Sequence, residues 1–490
     1  MSSRGHFKKS LNLFDSAAIT MGSMIGSGIF IVSADIARNV GSPGWLLVIW
    51  GITLVMTVLA AVSYGELAGM LPHVGGIYVY LREAYSPLFG FLYGWTFFLV
   101  IQCGTIAAVG MAFAKYSGVM IPWISEDNTL LNLGFFKFNA TQFVSILMIL
   151  FLTWVNTRGI KEGKRVQNLF TYSKVLILIA FIIVGIYAAK ASQLSVFNSS
   201  DFWSASRAEE GGQVPLEGFS LLIAIGMAMV GSLFAADAWY NLTYTSDEVI
   251  NPKKTIARSL IIGTFTVCLI YFLVNVVYII ALPLRGIPDG ATVMERGIQF
   301  AKEDRVATAA IYGIFGQRTE ILMAIVVVIS TFGCNNGIIL SGARVTYAMA
   351  HDRLFFKRTG DLSEKGVPSF ALWVQAAWSM ILCLTGTYSQ LLDYVIFAAL
   401  IFYILVIFAV FMLRKKHPDW DRPYRAFGFP VIPAIYIAAC LLIIVILLIY
   451  KPLFTWPGLG IVLSGVPVYY LWKNRQNSTL SGNTNPQPYK

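Results

Sequence analysis

Charge is what this sequence has least of. Of its 490 residues, 12% are Asp, Glu, Lys or Arg, about half the ~25% usual in soluble domains. So little charge cannot solvate a globular exterior, and an ordinary soluble protein is excluded. Histidine is scarce too. The four residues, at 6, 73, 351 and 417, are scattered singly. No pair has metal-ligand spacing, so neither a metal nor another cofactor is expected. The five cysteines (103, 268, 334, 383 and 440) all lie in apolar segments, which argues against a disulfide framework. The alternating ten-residue segments of an outer-membrane barrel are missing. No nucleophile–base pair or metal set stands out at membrane depth, so an intramembrane enzyme is not expected. Nor is a cleavable signal peptide, because the first apolar segment runs too long for one.

What fills the chain instead is apolar: 57% of residues, in runs long enough to span a bilayer. Twelve spans are expected, at about 13–40, 44–70, 88–122, 139–157, 166–189, 217–246, 257–282, 320–350, 368–388, 389–413, 430–450 and 453–472. The fold class is therefore an all-α integral membrane protein. With the N-terminus placed inside, most of the 36 Lys and Arg fall in the inner connections. That bias predicts both termini in the cytoplasm and the protein in the cell's inner, or plasma, membrane. It also accounts for the net charge of +11 without nucleic acid.

Two spans carry polar and small residues where a plain helix would do. In span one, Met21-Gly-Ser-Met-Ile-Gly-Ser-Gly-Ile-Phe30 packs three glycines and two serines into ten residues. Span six reads Gly231-Ser-Leu-Phe-Ala-Ala-Asp-Ala-Trp-Tyr240, with a carboxylate at Asp237. An ionisable residue there needs a partner or water. Non-helical backbone at membrane depth is tolerated only where protein buries it or a cavity wets it. Interruptions in corresponding segments of two halves point to a transporter's substrate site. The outer half of span one would begin near Gly26-Ser-Gly28, its amides suited to a carboxylate. The inner half would end near Gly22, Ser23 and Met24, and the first half of span six near Phe234, both with free carbonyls suited to an ammonium. Together they describe a site for an amino acid zwitterion. Two blander readings stand beside it: Gly22 and Gly26 fit small-xxx-small helix packing, and Asp237 fits a simple helix cap.

These residues resemble the amino acid–polyamine–organocation (APC) transporters, and within them the L-type amino acid transporter (LAT) family and its bacterial members. The resemblance rests on the glycine–serine motif of span one, on Ser63-Tyr-Gly-Glu-Leu-Ala-Gly, on Phe234-Ala-Ala-Asp-Ala-Trp239 with Asp247-Glu-Val-Ile-Asn-Pro252, on Val166 to Lys174, and on Phe332-Gly-Cys-Asn-Asn-Gly337 with Ser341-Gly-Ala-Arg344. It implies a LeuT-like 5+5 inverted repeat followed by two helices, with helices 1 and 6 broken. The repeats would occupy 13–190 and 217–413, flanked by an inner N-terminus (1–12), an outer loop (191–216), the last two helices (430–472) and a polar inner tail (473–490). It implies secondary transport of neutral L-amino acids, by exchange or proton-linked uptake, through alternating access. By motif position the amides of Ser27 and Gly28 would hold the carboxylate, and the carbonyls of Met24, Phe234 and Asp237 the amine. Trp239 would close over the site, and Cys334 with Ile338 would line the side-chain pocket. Lys174 resembles the lysine that stands in for sodium in sodium-coupled relatives, so sodium independence is expected. Snorkelling toward the inner interface, about 12 Å away, is the alternative. Glu248 and Arg344 form a possible inner gate, or else two solvated interfacial charges.

The segment 123–138 lacks the cysteine with which animal members bond a heavy-chain glycoprotein. That favours a prokaryotic protein with no disulfide-linked heavy chain. The competing functions are a cationic amino acid or polyamine antiporter of the same superfamily and, from another class, a membrane amino acid receptor.

Overall fold

The computed structural model describes residues 9–132, 137–188, 194–209, 212–316, 320–385 and 388–480. Eleven helices in it are long and apolar enough to cross a membrane. The ninth expected span is shorter, Ser369–Thr385 at 17 residues. Residues 386–387 of the turn expected over 385–390, residues 1–8 and the tail beyond 480 lie outside the described residues. Two small antiparallel hairpins, Thr129–Asn132 with Lys137–Asn139 and Ser206–Glu209 with Gly212–Pro215, interrupt the otherwise helical chain between spans. The long connection before span eight carries short helices at Val293–Arg296 and Val306–Phe315.

Both expected breaks are present. Span one runs from Leu13 to Met24, restarts at Gly28–Ile31 and continues as Ser33–Val40. Asn12 starts it with a reciprocal cap, its Oδ1 accepting from the Asp15 amide at 2.9 Å. Span six runs Gly218–Ala235, and beyond its break only the single turn Asn241–Tyr244 is helical before the chain leaves the span. Span two (Pro43–Met70) packs along span seven (Pro252–Ala281), and the inner half of span one lies against spans five, seven and eight. Span three is one continuous helix, Pro87–Met120, with a wider π-helical stretch at Phe97–Gln102.

Span five begins earlier than expected, at Ile160 rather than 166. Lys174 therefore sits fourteen residues in, about 21 Å along the helix, and is 1% exposed. It does not snorkel.

Glu66, at the end of span two, anchors that end of the bundle. Its fully buried carboxylate accepts from Arg414 at 2.8 and 2.6 Å and from the Ala426 amide at 2.7 Å, and Arg422 stands 3.7 Å away. Close by, the N-terminal segment adds a parallel bridge between Leu11 and Val249, and the amides of Ser10 and Leu11 donate to the Glu248 carbonyl at 2.8 and 3.0 Å.

Candidate functional site

The site begins with a shortage of amides. Span one stops at Met24, so the carbonyls of its last turn have lost their helical donors. Side chains from three other spans take over. Lys174 Nζ donates to the carbonyls of Gly22 (2.6 Å) and Ile25 (2.5 Å). The Cys334 thiol donates to Ser23 O at 3.0 Å, and the Tyr271 hydroxyl to Met24 O at 3.0 Å. Ser330 Oγ lies 3.3 and 3.2 Å from the carbonyls of Ile25 and Gly26. On the outer half, the hydroxyls of Tyr278 and Tyr116 donate to Ile29 O and Phe30 O, each at 3.2 Å. The break is thus held open by named donors from spans three, five, seven and eight.

The two breaks touch. A Cβ on Gly28 would stand 2.6 Å from Ala235 Cβ and 2.7 Å from Ala235 Cα. Only a glycine lets the start of one half-helix come this close to the end of the other. Gly22 serves packing, since a Cβ there would strike the Gln167 side chain at 2.1 Å and Thr171 at 2.2 Å. The chain turns out of span six through Ala238 at φ +63°, a left-handed conformation that costs a non-glycine residue about 1–2 kcal/mol.

Between the breaks lies a cavity of about 20 Å³. Ser23, Met24, Gly26, Ser27 and Gly28 form one wall, Phe234 and Asp237 another, and Cys334 with Ile338 a third. The buried Ser23 hydroxyl has no hydrogen-bond partner among the described residues. A water needs roughly 10–15 Å³ on this measure, so the arrangement is closed around a water-sized space. Admitting an amino acid requires the walls to part.

Comparison with known proteins decides what such a cavity belongs to. Residues 11–470 match the amino acid permease family. The chain belongs to that family. It is 29% identical to the human large neutral amino acids transporter small subunit 2, over 96% of this chain and 82% of that protein. It is 27% identical to the serine/threonine exchanger SteT of Bacillus subtilis, over 96% of this chain and 98% of the relative. A mouse b(0,+)-type amino acid transporter 1 is 28% identical over 95% of this chain and 88% of its own. The protein is accordingly a membrane amino acid transporter and not an enzyme.

The permease departs from the sequence expectation at Trp239. It does not line the cavity. It packs edge-to-face, ring centroids 4.6 Å from Tyr64 and 5.4 Å from Tyr240, and is 2% exposed. Asp237 accepts from the backbone amide of Ala238, just after the break. Its carboxylate also accepts from the hydroxyl of Tyr403, on span ten, and from that of Tyr240 at 3.3 Å.

Glu248 and Arg344 do meet. The guanidinium Nη2 is 3.1 Å from Glu248 Oε1, and the arginine and glutamate side chains are 0% and 2% exposed, so the pair is buried, not solvated. Arg344 also donates to the Leu340 carbonyl of its own helix.

Residues that local sequence does not single out complete the permease site. Thr105 and Val109 of span three and Ala235 and Ala238 of span six share the cavity wall. Gln102, in the π-helical stretch, donates to Ile338 O at 2.7 Å and so braces the wall behind the pocket. For Tyr403 the only signal in the sequence is that Asp237 must find a partner, which does not say which tyrosine provides it.

Proposed function

We propose that this permease is a sodium-independent exchanger of neutral L-amino acids working by alternating access in the inner membrane, with both termini cytoplasmic. The observation that carries the reading is the meeting of the two breaks at Gly28 and Ala235 around one cavity. The amides of Ser27 and Gly28 open the outer half-helix and suit a carboxylate. The carbonyls of Phe234 and Met24, with Asp237 beside them, suit an ammonium. Cys334 and Ile338 face the side chain and offer it a mostly apolar surface. Lys174 provides the fixed positive charge behind span one, so no sodium is needed there. Glu248 with Arg344, and the N-terminal bridge to Val249, close the inner side in this state. The closed, water-sized cavity fits an intermediate between two open forms. The absence of a cysteine in 123–138 supports a carrier without a disulfide-linked heavy chain, and a prokaryotic source.

The test is exchange in proteoliposomes. Vesicles loaded with a neutral amino acid should take up labelled L-leucine or L-serine, equally well in sodium or choline. A large loss of rate in choline, or uptake restricted to lysine, arginine or polyamines, would overturn the reading. Specific binding without flux would favour a receptor.

A further inference from the structure

Three of the buried carboxylates among the described residues are treated unequally. Glu66 is gripped by Arg414 and faced by Arg422, and Glu248 is paired with Arg344. A guanidinium can only donate, so each of these carboxylates meets a cationic donor. Asp237, 6% exposed, has no such partner. Its hydrogen bonds come from the hydroxyls of Tyr403 and Tyr240 and the amide of Ala238.

The other groups that face it are of the same kind. Tyr64 of span two, Tyr93 of span three and Tyr436 of span eleven lie near enough to interact with it electrostatically. Across the cavity from span eight stands the Cys334 thiol. Among the described residues none of the groups facing Asp237 is cationic. The ammonium of Lys174 is committed to the carbonyls of Gly22 and Ile25. An isolated buried carboxylate is so costly that it neutralises instead. A phenol hydroxyl, unlike a guanidinium, either donates to a carboxylate or accepts from a carboxylic acid. The tyrosines therefore satisfy Asp237 in both forms and lock it in neither.

We infer that Asp237 is a proton-exchange site: it carries a proton while the cavity holds no amino acid, and gives it up to solvent when a substrate ammonium arrives. The balance is a carboxylic acid plus R–NH3+ going to a carboxylate–ammonium pair plus one H+ in solution. This rests on the exchanger reading above and adds a proton to its cycle. Substrate and proton compete for one carboxylate, so the binding of a neutral amino acid becomes sensitive to pH.

The experiment is calorimetric titration of the purified full chain with L-leucine and with L-serine, from about pH 5 to pH 8, in pairs of buffers with unlike ionisation enthalpies. The dependence of heat on buffer counts protons. Release should approach one proton per amino acid at the acidic end, with affinity weakening up to about tenfold per pH unit there. Asp237→Asn should bind with heats that do not depend on buffer. Should it fail to bind, Asp237→Glu must restore the proton release. Buffer-independent heats for the unaltered protein at every pH sink the inference, as does release that persists in Asp237→Asn. Binding without proton release leaves the exchanger reading standing, whereas no binding of either amino acid removes both.

Discussion

Replacing Lys174 with methionine keeps most of the stem and deletes the ammonium. Two charge-assisted bonds disappear, at 2.6 Å to Gly22 O and 2.5 Å to Ile25 O. Hydrogen bonds to charged groups contribute about 1.5–3 kcal/mol each. The two losses are not equal. Ile25 O keeps Ser330 Oγ at 3.3 Å, whereas Gly22 O loses its side-chain donor within the break. The methionine also fills apolar space that the lysine stem filled, and relieves the burial of a charge. The net cost to this closed arrangement is then about 2–4 kcal/mol. At 1.4 kcal/mol per factor of ten, that shifts the population of the closed state by roughly 30- to 1,000-fold. Turnover in liposome exchange should fall tenfold or more, while thermal-shift titration should show a much smaller change in affinity, because Lys174 touches the scaffold and not the cavity. A folded Lys174→Met protein that exchanges at the unaltered rate would refute the bridging role. A variant that loses binding but keeps turnover at saturation would do so equally.

At Gly28, alanine should abolish exchange, because its Cβ would press on Ala235 Cα and Cβ at 2.7 and 2.6 Å; overpacking of this kind costs about 1–3 kcal/mol. Ser27→Ala leaves the amide in place and should lower affinity less than threefold in the same binding assay; the reverse order would contradict recognition through backbone amides. For the buried gate pair, Arg344→Met leaves Glu248 without its partner and should destabilise by about 3–5 kcal/mol. The double variant Arg344→Met with Glu248→Gln should melt at a higher temperature than Arg344→Met alone, and a lower melting point would argue against a buried ionic pair. Exchange in the unaltered protein should be unchanged when choline replaces sodium.

Much of this molecule is legible in its sequence because a bilayer punishes exceptions. Twelve apolar runs, an inner excess of Lys and Arg, and polar residues clustered in just two of the runs lead to the spans and to both breaks. Nine of the ten residues expected around the substrate line one cavity. What cannot be read is who satisfies whom. Tyr271, Ser330 and Cys334 reach the loose carbonyls of span one from positions far along the chain, and nothing in local composition marks a tyrosine or serine as a donor to a distant backbone. Motif position puts Trp239 over the cavity, yet aromatic packing against Tyr64 and Tyr240 sets it to one side. The depth of Lys174 is greater than its sequence suggests, because the first turns of span five, rich in Lys and Arg, read as loop while the helix runs on through them.

The grip on Glu66 bears on how far this carrier could be pared down. Arg414 closes span ten, while Arg422 and the Ala426 amide belong to the link that leads into span eleven (Val431–Tyr450). Span eleven in turn places Tyr436 near enough to Asp237 to interact with it electrostatically. The link after span ten is therefore part of the working core, not an appendage to a self-sufficient ten-helix unit. A shortened chain ending at residue 413 would strip a fully buried acid of its counter-charges. Any attempt at a minimal version of this permease has to keep residues 414 to 426 or replace Glu66 with an uncharged side chain.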